Sequence, residues 1–140
     1  TCAVLWSPWV DLLVEGESVS ANASADPMLS RDDLLACAQH YVGGGAGGVV
    51  AGVVPQDPRA RPLGSDLSGL PPLLIQVGSV EILLSDALRL CAAAATAQVH
   101  TRLDVYPGMP HVFQGFSFIL ADGVAAIRDS AAFIQRYFSG

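Results

Sequence analysis

The sequence predicts an α/β domain built on a parallel sheet. Three observations carry that prediction: short apolar runs that read as strands, amphipathic stretches between them, and the regular alternation of the two. The runs are Ala3 to Trp6, Leu73 to Val77 and Arg102 to Tyr106. The first two are continuously apolar rather than alternating, as expected of strands covered on both faces. About three parallel strands with connecting helices is the architecture these elements imply.

The helices follow from capping and periodicity. Ser30 precedes Arg31-Asp32-Asp33-Leu34-Leu35-Ala36-Cys37, so its hydroxyl can take the Asp33 amide, and the acidic first turn suits the helix dipole; the helix should stop at Gly43. A second helix starts at Ser85 or Asp86 and runs through Leu88, Leu90, Cys91 and Ala94, its alanine-rich face packing on the sheet. The last runs from about Asp122 to Phe138 and lines up Val124, Ile127, Ala131, Ile134 and Phe138 as its apolar stripe.

The whole-chain numbers bound the function. A compact domain of 140 residues buries roughly 70% of its unfolded surface, and a composition 51% hydrophobic and 14% charged is far from that of a disordered chain. Net charge is −6, with seven scattered Lys and Arg, which excludes a phosphate-tracking nucleic-acid surface. Cys2, Cys37 and Cys91 are odd in number and widely spaced; they read as reduced core residues, and nothing in their spacing suggests zinc. With no leader-like opening and no long apolar run, a cytoplasmic protein with no membrane span is the expectation. No cofactor is implied. The glycine-rich stretch Gly43 to Gly52, followed by Val53 to Pro58, lacks a GK[ST] ending or a following helix and reads as a surface loop; His40 stands too far from Gly43 to make an HGGG loop.

In parallel sheets the loops after the strands carry the chemistry. The second strand runs into Gly78-Ser79-Val80-Glu81, and the third ends in Pro107-Gly108-Met109-Pro110-His111. A carboxylate and an imidazole thus emerge at one end of neighbouring strands, where Glu81 could accept the Nδ1 proton of His111 and leave Nε2 to act as a base. Taken singly, each has a blander reading: Glu81 as an exposed loop or helix-start carboxylate, His111 as a loop histidine packed beside Val112 and Phe113. Asp86 competes as the acid, though it should lie within or at the start of the helix, farther from the strand end. Cys91 and Ser79 are the conceivable alternative nucleophiles, the first on a buried helix face and the second without a strained elbow.

Several segments resemble the hormone-sensitive-lipase-like branch of the α/β-hydrolases. They are Ser7-Pro8-Trp9-Val10-Asp11-Leu12, Asn22 to Leu29, Asp57 to Leu63, Leu70 to Gly78, and Tyr106 to Phe113, in the family's order and spanning nearly the whole chain. In that family the acid follows the penultimate core strand and the histidine lies in a later G-x-x-H-x-F segment. Gly108-Met109-Pro110-His111-Val112-Phe113 matches that segment, and His111 follows Glu81 by 30 residues. The resemblance implies an esterase or lipase whose triad acid is Glu81 and whose base is His111.

The departures are equally informative. The family's HGG-type oxyanion loop and G-x-S-x-G nucleophile elbow are absent; no serine here has glycine at both −2 and +2, the nearest miss being Gly115-Phe116-Ser117-Phe118-Ile119, after the histidine. Arg61 stands where relatives commonly have Ser, and the segment from Gly43 looks enlarged. With an opening Thr-Cys-Ala-Val-Leu-Trp that is already strand-like, residues 1–140 are expected to be the C-terminal portion of an α/β-hydrolase fold, without the N-terminal half that carries nucleophile and oxyanion donors. Two outcomes follow: a carboxylic ester hydrolase fragment, inactive alone and acting on ester substrate only when complemented, or a non-catalytic remnant or interaction domain. In either case the edge of the first strand invites self-association.

Overall fold

The computed structural model describes residues 1–43 and 61–138. In chain order it contains β1 (Ala3–Trp6), α1 (Glu17–Ala21), α2 (Arg31–Gly43), a 3-10 turn (Pro62–Gly64), β2 (Leu73–Gly78), α3 (Leu84–Thr96), β3 (Thr101–Tyr106), a second 3-10 turn (Phe113–Phe116) and α4 (Ala121–Phe138). The strands form one sheet in the order β1-β2-β3, both pairs parallel, with Leu5 beside Ile75 and Ile75 beside Leu103. The expected strands and helices thus form, with ends moved by about a residue. The five-residue α1 has no counterpart in the sequence reading, being too short for a periodic signal. The glycine-rich loop reading, apart from Gly43, lies outside the described residues, as do Asp57 to Ala60.

Because β2 is central, every residue of it is buried. Leu73, Ile75 and Val77 point to one face and form the main core with Val10, Leu67, Ala87, Leu90, Ala94 and Val99. Ala87 and Ala94, both fully buried, let α3 approach the sheet closely. Each aliphatic side chain taken fully out of water here contributes about 1.5–3 kcal/mol, so this face dominates the stability of the sheet. A second cluster, Val14, Val19, Leu34, Ile82 and Leu83, ties α1 and α2 to the turn after β2.

On the other face, α4 is oriented differently from the sequence expectation. Its buried residues are Gly123, Ala126, Ser130 and Phe133, whereas Ile127, Ile134 and Phe138 are exposed, Phe138 to 75%. The reason is polar and steric. Gln76 of β2 donates from Nε2 to the Ala126 carbonyl (3.0 Å), and Trp6 Nε1 donates to Ser130 Oγ (3.1 Å). These bonds demand a small-residue face toward the sheet, and a Cβ on Gly123 would stand 3.0 Å from the Phe113 carbonyl oxygen. The apolar stripe is therefore rotated to the outside. The cysteines also depart from expectation: none is disulfide-bonded, but Cys37 is exposed and Cys2 and Cys91 are only partly buried, so none is a true core residue. Among the described residues no helix is long and apolar enough to cross a membrane.

Ser30 caps α2 as expected, its hydroxyl oxygen accepting the Asp33 amide at 3.2 Å while lying 2.6 Å from Asp33 Oδ2. At the end of β2, Gly78 is obligatory: a Cβ there would collide with the Met109 carbonyl group and reach to 2.9 Å from the Pro110 carbonyl oxygen, both in the segment that carries His111. Gly78→Ala should therefore cost about 3 kcal/mol or more, as expected when a side chain is forced into backbone, and displace that segment. Denaturant-induced unfolding checks it; a loss below 1 kcal/mol would contradict the packing described.

Candidate active site

All three strands run the same way, so their carboxyl ends meet on one side of the sheet. Backbone hydrogen bonds lash these ends together: Ser7 N donates to Gln76 O at 2.8 Å and Ser79 N to Tyr106 O at 2.9 Å. The Ser79 hydroxyl adds a tie, accepting the Gly108 amide at 2.9 Å. The loop after β2 is held from outside by Asn22, whose Nδ2 donates to the carbonyls of Ser79 (3.1 Å) and Glu81 (2.9 Å), and by Asp26, whose Oδ2 accepts the Ile82 amide at 2.8 Å.

Within this frame the Glu81 side chain is 0% exposed. An unpaired carboxylate could not be tolerated there, since removing it from water costs several kcal/mol. Its partners are complete. Oε1 accepts the Gly78 amide at 2.7 Å and the Ser7 hydroxyl at 2.8 Å, and Oε2 stands 2.9 Å from His111 Nδ1. Glu81 is thus not an exposed loop carboxylate. A carboxylate only accepts, so Nδ1 carries the proton and Nε2 is the nitrogen left to take one from elsewhere. The imidazole is mostly shielded, with 21% of its side chain exposed.

Asp86, the competing acid, is engaged elsewhere. Its Oδ2 accepts the amides of Val10 (2.9 Å) and Asp11 (3.0 Å), and Oδ1 takes Arg89 Nη2 at 2.7 Å, while Arg89 Nη1 reaches Asp11 Oδ2 at 2.9 Å. Burial pushes the Asp86 carboxyl up, opposed by the Val10 amide and by Arg89. This carboxylate anchors the chain after β1 to α3 and has no contact with His111. Burial likewise raises the Cys91 thiol, the opposite of an activated nucleophile, and the Ser79 hydroxyl is engaged with Gly108. Among the described residues no three His, Cys, Asp or Glu side chains gather into a metal-binding group.

Beneath His111 lies a buried polar network that the sequence reading missed. Gln76 Oε1 accepts Gln114 Nε2 at 3.2 Å and lies 3.2 Å from Ser130 Oγ, tying the turn after the histidine to the centre of the sheet and to α4. A glutamine inside the apolar run Leu-Leu-Ile-Gln-Val was the available signal, because a buried amide in a central strand must have partners. Ser7 and Asn22 were likewise within recognisable segments, but nothing local indicates what their side chains reach.

The parallel sheet thus holds a buried glutamate against a histidine at its strand ends, and comparisons with known proteins identify the family of the chain. The family model described as alpha/beta hydrolase fold matches residues 1–115, and this chain belongs to that family. It is 39% identical over 133 residues to an acetyl-hydrolase of Streptomyces hygroscopicus, covering 95% of this chain and 42% of that protein. It is 39% identical over 130 residues to an esterase of Acinetobacter venetianus, covering 93% and 41% respectively. A solved esterase of the bacterial hormone-sensitive lipase family superposes with a TM-score of 0.87 at 41% identity, over 96% of this chain and 43% of that one. The chain thus spans about two fifths of the length of these relatives, and it has the fold of that hormone-sensitive-lipase-type esterase.

Asp86→Ala would leave the Val10 and Asp11 amides and Arg89 Nη2 without their acceptor. A loss of about 2 kcal/mol or more in unfolding free energy is expected, with the low-field imidazole N–H proton resonance of His111 unchanged. Loss of that resonance would show that Asp86, and not only Glu81, holds the ring.

Proposed function

We propose that this chain supplies the acid, Glu81, and the base, His111, of a Ser-His-Glu triad in a carboxylic ester hydrolase. The nucleophilic serine and the oxyanion donors would come from an N-terminal segment outside these 140 residues. The observation that carries the reading is the 2.9 Å contact between the fully buried Glu81 carboxylate and His111 Nδ1 at the carboxyl edge of the sheet. The names of the relatives, acetyl-hydrolase and esterase, point to the same reaction class.

In this reaction Nε2 of His111 accepts the serine proton as the serine oxygen attacks the ester carbonyl. Glu81 stabilises the imidazolium so formed. The same Nε2 then protonates the departing alkoxide, and in the second half it deprotonates the water that releases the acid. Neither Glu81 nor His111 attacks the ester, and no serine in the chain stands in a G-x-S-x-G elbow, so by itself the chain turns over no ester.

Several features fit a sheet that continues beyond β1. Only one side of β1 is paired among the described residues. Trp6 at its end is part-exposed, as are Ile127 and Ile134 on α4. A strand and helix from the N-terminal segment would cover these groups, and without them the β1 edge would drive self-association. The three unpaired cysteines suit a reducing, cytoplasmic setting.

Co-production with a polypeptide carrying G-x-S-x-G should yield hydrolysis of a chromogenic short-chain ester. His111→Ala should reduce it to background, and Glu81→Gln should lower kcat by up to about 10⁴. Turnover by the chain alone that disappears on His111→Ala would overturn the division of labour. Sedimentation of the chain alone should show oligomers; a stable monomer with a cooperative melt would contradict the open-edge reading.

A further inference from the structure

Four non-glycine residues among those described have positive φ, and two of them, Ser7 (φ 49) and Val112 (φ 47), are the two ends of one hydrogen bond. A β-branched residue such as Val112 rarely adopts this conformation, so its surroundings must impose it. Ser7 Oγ accepts the Val112 amide at 3.0 Å and donates its own proton to Glu81 Oε1 at 2.8 Å. Its backbone amide is spent on Gln76 O at 2.8 Å, so the residue is fixed at both ends. One buried hydroxyl thereby joins the end of β1, the carboxylate after β2 and the residue directly after His111.

We infer that Ser7 is a positioning residue of the triad, bridging the acid to the histidine turn so that Glu81 and His111 keep one mutual orientation. The chemistry suits the role. A carboxylate has two oxygens, and a rotation that freed Oε1 would also swing Oε2 away from Nδ1. With Gly78 N and Ser7 Oγ both on Oε1, that rotation is blocked, and Oε2 is left to the imidazole alone. The Val112 amide, held by Ser7 Oγ, stops the turn from carrying the ring off. Ser7 touches no substrate atom on this view; it acts through its two neighbours.

The inference rests on the acid and base roles proposed above, and its test separates the two. Ser7→Gly is the informative variant, because glycine adopts positive φ freely and the change deletes the hydroxyl without a backbone penalty. In the complemented enzyme, Ser7→Gly should lower kcat about tenfold with KM unchanged, the scale on which an orienting outer partner acts. In the same complex the low-field Nδ1–H proton resonance of His111 should broaden or vanish. Ser30→Ala, which loses the α2 cap without removing any hydrogen bond to Ser7, Glu81 or His111, should leave both readouts as in the parent, so that mere destabilisation is distinguished from lost positioning. A Ser7→Gly resonance identical to the parent's overturns the bridge whether or not the complex hydrolyses esters. A parent complex that turns over no ester while its resonance still depends on Ser7 overturns the catalytic reading and leaves the bridge standing.

Discussion

The rest of the site is arranged around one constraint: a carboxylate completely removed from water must be satisfied by hydrogen-bond donors, and here the donors come from separate strand ends. Glu81 receives the Gly78 amide from β2, the Ser7 hydroxyl from the end of β1 and the His111 imidazole from beyond β3. Each donor is useful only if its strand is in register with the next. Pairing of Trp6 with Gln76 and of Gln76 with Asp104 sets that register, so the sheet and the site are one structure. Burial makes the carboxylate a demanding group, and its full satisfaction turns the demand into orientation of the histidine.

A second layer of polar groups extends the same logic. Asn22 and Asp26 grip the loop that bears Glu81, and Gln76, Gln114 and Ser130 underpin the turn that follows His111. The two clamps approach from different sides, one from the segment after α1 and the other from the sheet and α4. Buried hydrogen bonds contribute little net stability and cost heavily when incomplete. Precise placement of two side chains is what they supply.

The distribution of apolar surface has a consequence beyond the site. One face of the sheet is closed by α3 with small buried alanines, whereas α4 presents Ile127, Ile134 and Phe138 to solvent and, among the described residues, β1 is paired on one side. The chain spans about two fifths of the length of the acetyl-hydrolase and esterase relatives. Glu81 and His111 lie where strands meet, and their contact is formed within the part described.

Much was legible in the residues alone. The α/β class, the three strands and the three longer helices follow from local periodicity and caps, because those signals lie within a few residues of one another. Glu81 and His111 could be paired from sequence because parallel strands deliver their following loops to a common edge, whatever the details of packing. The sequence favoured Glu81 over Asp86 on distance from the strand end alone; which carboxylate reaches the imidazole depends on where the strand ends and the helix begins in space. The face that α4 turns to the sheet, the buried glutamines and the bridge from Ser7 to Val112, 105 residues apart, were settled only by the tertiary structure. Such contacts join residues distant in the chain, and their partners are chosen by the need to satisfy buried polar groups, a condition that exists only once the sheet has closed them off from water.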